Sequence, residues 1–480
     1  MSTALGAAGE LAIRSLVERA PLASSLAQAF KAKGFTLALV GGPVRDAILG
    51  RLGNDLDFTT NAHPQETKKI LSKWAENIWE TGIEFGTVAG KRGDTTVEVT
   101  TYRSETYDPQ SRKPDVQYGK EIHGDLSRRD FTINAMALEL TTEKPEFIDP
   151  FLGLEDLAKK LLRTPSSAEQ SFSDDPLRMM RAIRFATQLN FTITEETFAA
   201  IKKMADRITI VSQERITDEL QKIMNTPMPS KGWYLLREAG LLAYIFPQFL
   251  QLEGAETLDG IGHKDNFSHT LQVLDNVAAN SNDIWLRWSA VLHDIAKPRT
   301  KKFEKGFGWT FHGHEVVGAR MVPKIFTQLK LPLNEHMKMV QKLVALHLRP
   351  ISLTKDNVTD SAIRRLLFDA GDDIDNLMVL CSADITSKNQ VKVRRYLQGF
   401  EFVKQRLVAV EEKDKVRNWQ PPISGELIME LFNISPSREV GVIKDAIREA
   451  ILDGLITNDY DAAYAFMLDQ AAKIGLKPSK

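Results

Sequence analysis

Leu39-Val-Gly-Gly-Pro-Val-Arg-Asp46, followed by Asp55-Leu-Asp57, is the stretch on which the reading of this chain turns. The apolar run Phe35–Val40 predicts a buried strand that enters the Gly41-Gly42 turn. Pro43 suits the first position of a helix that closes at Gly50. Two glycines at a strand-to-helix turn let the backbone approach a phosphate, and the helix start adds amide donors and positive dipole. Leu56–Thr59 predicts a second strand, on which Asp55 and Asp57, two apart, share one face. Paired carboxylates beside such a cradle suit Mg²⁺, a hard cation with oxygen ligands, and two such ions about 4 Å apart clamp attacking and leaving oxygens. Thr87–Lys91 and Thr95–Thr101 flank the turn Arg92-Gly93-Asp94, and Glu98 on the second of these strands offers a third carboxylate.

Working outward, the 480 residues include 62 Lys+Arg against 63 Asp+Glu, a formal net charge of −1, with 43% hydrophobic and 26% charged residues. That is an ordinary globular composition, neither disordered nor collagenous. The charge is spread without a basic tail, which excludes nucleic-acid binding by bulk charge. The lone Cys381 has no intramolecular partner, no signal-peptide pattern opens the chain, and no apolar run approaches the roughly 20 residues of a bilayer span; the expected compartment is the cytoplasm. Residues 104–120, with two prolines, Arg112 and Lys113, read as a loop, and from Leu154 onward apolar residues recur at helical spacing. The expected class is α+β: a head over 1–160 with a mixed sheet and an N-terminal helix in 1–30, then helical segments over 161–260, 261–418 and 419–480.

LVGGPVRD with the following DLDFTT resembles the opening motif of the polymerase-β-type nucleotidyltransferases, in the branch of bacterial CCA-adding tRNA nucleotidyltransferases and poly(A) polymerases. Arg128-Arg-Asp-Phe-Thr-Ile-Asn-Ala135 matches the second motif, Asp149–Asp156 the third, Asp174-Asp-Pro-Leu-Arg-Met-Met-Arg181 the fourth and Glu214–Asp218 the fifth. The resemblance implies a metal pair on Asp55 and Asp57, with Glu98 beside them. It implies a nucleotide site from Gly41, Gly42, Arg45, Arg129, Asp130, Asn134, Asp175, Arg178, Arg181 and Arg184. Within it Asp130 accepts from a ribose 2′-OH and Arg129 reaches the triphosphate; the residue-level alternative is that they cap a helix beginning near Thr132. Asp175 and Arg178, three apart at a helix start, act in relatives as a protein template. A carboxylate accepts from the exocyclic amine of cytosine or adenine while a guanidinium donates to the ring nitrogen. Uracil and guanine present the reverse pattern, at about 1–3 kcal/mol per unsatisfied group. Relatives usually carry Glu where this chain has Asp174.

Residues 262–400 resemble an HD domain of metal-dependent phosphohydrolases, with His269, His293, Asp294 and Asp384 as the implied ligands. His314 and His347 fall where some relatives place further ligands for a second metal. Residues 423–465 resemble the C-terminal helical segment of the same branch, with turn-type breaks at Gly425 and Ser435-Pro436.

The implied activity is addition of C, C and A to the 3′ end of tRNA from CTP and ATP. The alternatives are a poly(A) polymerase, an enzyme adding only CC or only A, an HD phosphohydrolase whose head only binds nucleotide, and a non-catalytic RNA-binding protein. With net charge near zero, phosphate contacts to tRNA are expected to be few and local, from Arg178, Arg181 and Arg184 or from Lys392, Arg394 and Arg395.

Overall fold

The computed structural model describes residues 2–106, 115–119, 121–255, 257–258, 261–262, 265–354, 358–387, 389–414 and 419–479. They fall into two compact units, the first built from 1–226 and 231–245, the second from 227–230 and 246–480. Among the described residues no helix is long and apolar enough to cross a membrane.

The first unit opens with helices α1 (Ser2–Arg19) and α2 (Leu22–Lys31). Its sheet comprises β1 (Ala38–Val40), β2 (Asp55–Thr60), β3 (Asn77–Trp79), β4 (Thr87–Arg92) and β5 (Thr95–Thr101), completed by β8 (Ala137–Glu139) and β9 (Glu146–Ile148). The strand order is β3-β4-β5-β2-β1-β8-β9. Only β2 and β5 run parallel, which is what brings Asp57 directly opposite Glu98. Helix α3 (Gly42–Ile48) links β1 to β2, and Gly41 turns between them at φ +75° and ψ −141°, a conformation open to glycine alone. The mixed sheet and the β4–β5 hairpin agree with the expectation from sequence, although β1 is shorter than the apolar run suggested: Ala38 and Leu39 pair with both β2 and β8, and Val40 with β8 alone.

Two local expectations are corrected. Part of the 104–120 loop is a hairpin, β6 (Arg103–Thr106) pairing antiparallel with β7 (Asp115–Tyr118); Arg112 and Lys113 lie outside the described residues. The helix expected near Thr132 is a single 3₁₀ turn, Thr132–Asn134. Its neighbour α6 (Gly153–Lys159) accounts for the brevity: the Thr132 hydroxyl donates to Asp156 on α6, and the Thr132 amide to the carbonyl of Arg163, so side chain and backbone are both committed outward. Both oxygens of Asp149 accept the first amides of α6, from Gly153 and Leu154.

Beyond α7 (Ala168–Asp174) and α8 (Leu177–Gln188) the rest of the chain is almost wholly helical. In the second unit the last helices, Gly425–Phe432, Arg438–Leu452 and Tyr460–Lys473, close on a separate apolar core around Ile428, Ile443, Ile447 and Met467.

Gly153 gives this packing a direct test. A Cβ there would fall 2.2 Å from the Thr132 carbonyl oxygen and 2.8 Å from Met136 Cγ, with backbone on one side that has no room to yield. Gly153→Ala should destabilise the first unit by about 2 kcal/mol, read as a lower urea midpoint of that unit's transition; an unshifted midpoint contradicts the packing.

Candidate active site

The Gly41 turn brings backbone against two functional side chains: a Cβ at this position would meet Arg129 Nη1 at 2.8 Å and Asp57 Oδ2 at 3.8 Å. Asp57 and Glu98 point to the same face of the sheet, and both line a cavity of ≈ 390 Å³. Asp55, one side-chain repeat before Asp57 on that face, is exposed and does not line this cavity. Burial raises the Asp57 carboxyl above its ordinary range; Arg129 opposes this, while Glu98 and Asp55 reinforce it. Carboxylates gathered so that they repel one another are the donor set that hard divalent cations require, so the residues present fit such ions.

The opposite wall is cationic. Asp125, fully buried, accepts from Arg128 at 3.0 Å and from Arg129 at 3.3 Å and so fixes both guanidiniums in the cavity. Asp175 and Arg178 also line it, as expected. Asp175 is extended rather than helical; its Oδ1 accepts from the Leu177 amide and so caps α8, while Arg215 lies 3.4 Å from its Oδ2. Arg178 donates to Ser171 Oγ at 2.8 Å and to the carbonyl of Arg128 at 2.6 Å, which sets the plane of its guanidinium. Asp174 ends α7 and is engaged by Gln170 instead.

Asp130 also lines the cavity, where its carboxylate is engaged by the protein itself. Its Oδ1 accepts from the Phe131 amide and from Asn134 Nδ2, and its Oδ2 accepts from Arg181 Nε and Nη2. A carboxylate offers about four acceptor positions, so none remains for a ribose hydroxyl. Arg45 and Asn134 do not line the cavity: Arg45 donates to Asn134 Oδ1 at 2.7 Å and to Asp46, completing a buried chain from Asp46 to Arg181. Gly42 stands beside this chain, its Cβ position 3.5 Å from Arg45 Nη2, and is likewise outside the lining. Arg184 is removed further. It is buried, pairs with buried Glu219 at 2.6 Å and lies 3.9 Å over the Phe185 ring, with Arg45 and Arg181 on the same ring. The expectation that Arg184 grips RNA phosphate is therefore corrected, since it is buried against Glu219; Arg181 pairs with Asp130 and still lines the cavity, and Lys392, Arg394 and Arg395 are exposed.

Arg103, Arg128 and Arg215 line the cavity without having been singled out from sequence. Arg128 and Arg215 sit inside quoted motifs, where their neighbours drew the reading; Arg103 follows β5 directly, and only that strand's register reveals it.

The second unit gathers a set of candidate metal ligands from helix ends. His269 lies on helix Asn266–Asn280, His293 and Asp294 follow Ile284–Leu292, His314 begins His314–Gln328, His347 follows Glu335–Leu346 and Asp384 follows Ile374–Ala383. Ligand atoms of His269, His293 and Asp384 lie within 4.8 Å of one another, as do those of Asp294, His314 and His347. The grouping differs from the expected one in that Asp294 stands between the sets: its Oδ2 is 3.2 Å from His293 Nε2 and its Oδ1 is 3.2 Å from His314 Nε2. His293, His314 and His347 each place Nδ1 2.7 Å from the carbonyl three residues earlier. An Nδ1–H donated there turns Nε2 inward as the nitrogen that would face a metal ion. His314 and His347 then face each other Nε2 to Nε2 at 3.3 Å, and the buried His293 Nε2 faces the carboxylates of Asp294 and Asp384 at 3.2 and 3.6 Å. Ring nitrogens and carboxylates converging in this way fit metal ions. Burial lowers the His347 imidazole to about 4, with the His293 charge acting in the same direction. Burial also works against protonation of His293, but Asp294 and Asp384 outweigh it and raise that ring to about 10.

Residues 37–163 match the poly A polymerase head domain, 190–252 the probable RNA and SrmB-binding site of polymerase A, and 266–389 the HD domain. The chain is 32% identical over 426 residues to an A-adding tRNA nucleotidyltransferase of Deinococcus radiodurans, spanning 86% of this chain and 91% of that protein. It is 29% identical over 439 residues to a CCA-adding enzyme of Streptococcus sanguinis, spanning 91% and 94%. The crystal structure of the Bacillus stearothermophilus CCA-adding enzyme in complex with CTP superposes with a TM-score of 0.66 at 25% identity, over 94% of this chain and 97% of that one.

The Asp130–Arg181 pair sets a pH prediction. Burial pushes the Asp130 carboxyl up, but Arg181 and Asn134 outweigh it and hold the group at about 2, against an ordinary 3.8. A depressed carboxylate contributes stability above its unfolded value and loses it as pH falls through the folded one. Arg181→Gln should therefore cost about 2 kcal/mol at pH 5–7, and the deficit should shrink as pH drops from about 4 towards 2. Urea unfolding of both proteins across that range checks it; a deficit independent of pH contradicts the pairing.

Proposed function

We propose, because this chain belongs to the HD-containing branch of the bacterial tRNA nucleotidyltransferase and poly(A) polymerase family, that it completes the 3′ end of tRNA by adding C, C and A from CTP and ATP. The chain is a nucleotidyltransferase. The observation that carries the reading is one cavity holding Asp57 and Glu98 on one wall, Arg128 and Arg129 on another, and Asp175 with Arg178 beside them. Metal-binding carboxylates, phosphate-binding cations and a base-reading pair are thus within reach of a single nucleotide.

In the reaction the tRNA 3′-oxygen attacks the α-phosphorus, its proton is released, and the bond from that phosphorus to the pyrophosphate oxygen breaks in line. Asp55 and Asp57 would hold the divalent cations, which we assign as two Mg²⁺; when bound, these would supply the charge that acidifies the 3′-OH and stabilises the departing pyrophosphate. Arg129, clamped by Asp125, meets the triphosphate where the Gly41 backbone leaves room for it. Asp175 accepts from the exocyclic amine of cytosine or adenine and Arg178 donates to the adjacent ring nitrogen. The contacts of Arg178 with Ser171 and the Arg128 carbonyl hold that guanidinium in place before the base arrives. Asp130 acts at one remove, positioning Arg181 at the cavity wall. Addition of A alone is the second reading, and the A-adding relative from Deinococcus favours it.

In the second unit His269, His293, Asp294, Asp384, His314 and His347 would hold divalent metal, which supplies an activated water to a phosphohydrolase. The proposed compartment is the cytoplasm, where Cys381 remains a buried thiol.

Transfer and base choice separate by mutation. The double substitution Asp55→Ala, Asp57→Ala should abolish incorporation of labelled CTP and ATP into tRNA, at unchanged circular dichroism. Asp175→Ala and Arg178→Ala should keep metal-dependent transfer but lower discrimination against UTP and GTP by at least tenfold, the loss of about 1.4 kcal/mol or more. Retained incorporation in the first, or unchanged base choice in both of the others, overturns the assignment.

A further inference from the structure

Beside the metal centre of the second unit, His269, His347 and Asp384 open into a cavity of ≈ 200 Å³ whose outer wall includes Ile351 and Tyr396. The same two side chains begin a larger groove of ≈ 800 Å³ that runs past Lys392 and Arg395 to Phe402. The two spaces therefore adjoin across Ile351 and Tyr396, which sets the larger one beside the cavity at the ligand cluster. Lys392, Arg395 and Tyr396 lie on helix Gln390–Asp414 within one and a half turns. Neither cation has an ion-pair partner among the described residues, and no acidic residue lines the groove. Tyr396 is 37% exposed and Phe402 50%, so both rings present surface to solvent.

Unpaired cations interleaved with exposed aromatic rings form a surface that tracks a phosphate backbone and stacks unpaired bases. A free mononucleotide would use only the inner cavity and leave the groove empty. We propose that this groove binds a single-stranded RNA chain and delivers its terminal phosphate to the His269–Asp384 cluster, so that the HD centre acts on the end of an oligonucleotide. This names the substrate class of the phosphohydrolase reading and rests on it, but RNA binding in the groove is measurable without hydrolysis. It also assigns Lys392 and Arg395 to the second centre, in place of a general grip on the tRNA body.

The test is fluorescence anisotropy of a 5′-labelled ten-residue oligoadenylate with the full chain in EDTA, so that no bound metal contributes. Wild-type protein should bind with an affinity that Lys392→Ala/Arg395→Ala lowers at least tenfold, and the slope of log K against log salt should flatten by about 1.4, the loss of two phosphate contacts on a single strand. Tyr396→Ala should lower affinity about fivefold or more, and Tyr396→Phe, which keeps the ring, should restore most of it. AMP binding should change less than twofold in the cation variant. Equal oligonucleotide affinity in wild type and both alanine variants overturns the proposal, as does displacement of the RNA by polyglutamate as readily as by unlabelled oligoadenylate, which would mark the groove as a site for acidic peptide. A rise in KM for tRNA during CTP incorporation, without loss of oligoadenylate binding, overturns it in favour of a tRNA-body contact. Groove binding that behaves as expected, with no phosphate ester cleaved in Mn²⁺, Ni²⁺ or Mg²⁺, supports the RNA groove and removes the hydrolase reading alone.

Discussion

Asp130 is a buried carboxylate held by four hydrogen bonds, and the first unit depends on it because its partners come from parts of the chain that share no secondary structure. Asn134 links it to Arg45 on the helix after the glycine turn, and Arg181 links it to the helix that carries Arg178. The strand-to-helix turn and the helix of Arg178 are thereby tied to one point. Phe185 adds an apolar counterpart, collecting the guanidiniums of Arg45, Arg181 and Arg184 over its ring. Removing one partner of such a pair leaves a desolvated charge, so the arrangement is sensitive to single substitutions out of proportion to its size.

The second unit solves a related problem by opposite means. Its carboxylates are few, and the imidazoles are oriented by backbone carbonyls three residues earlier, a geometry that helix ends supply without further side chains. The result is a set of inward ring nitrogens and carboxylates whose arrangement suits a divalent cation. Asp294, facing both groups, is the one ligand that a second metal would have to share with the first.

Much of this was legible in the sequence because it is local. The glycine turn, the paired aspartates on one strand and the β4–β5 hairpin all follow from spacing within about ten residues, and the same holds for Asp175 and Arg178. What escaped depends on which distant groups meet. Nothing near Asp130 in the chain reveals that Arg181 fills its second oxygen, or that Glu219 neutralises Arg184. Motif membership placed both arginines in the nucleotide site, whereas burial and pairing place Arg184 behind it and leave Arg181 at the cavity wall, held by Asp130. Arg215, by contrast, stands in a quoted motif but enters the cavity only because its helix packs against α8. The near-zero net charge has a similar explanation: many cations are already spent internally, and few remain for a long RNA backbone.

The central claim is that one protein cavity reads both C and A and stops after three additions. It is tested most directly by incubating tRNA that ends before CCA with labelled CTP alone, ATP alone, and both, and resolving the products by length. The account predicts two added nucleotides with CTP, three with both, and little extension with ATP alone. Extension by a single A only on tRNA already ending in CC, or long A tails with ATP alone, would contradict it.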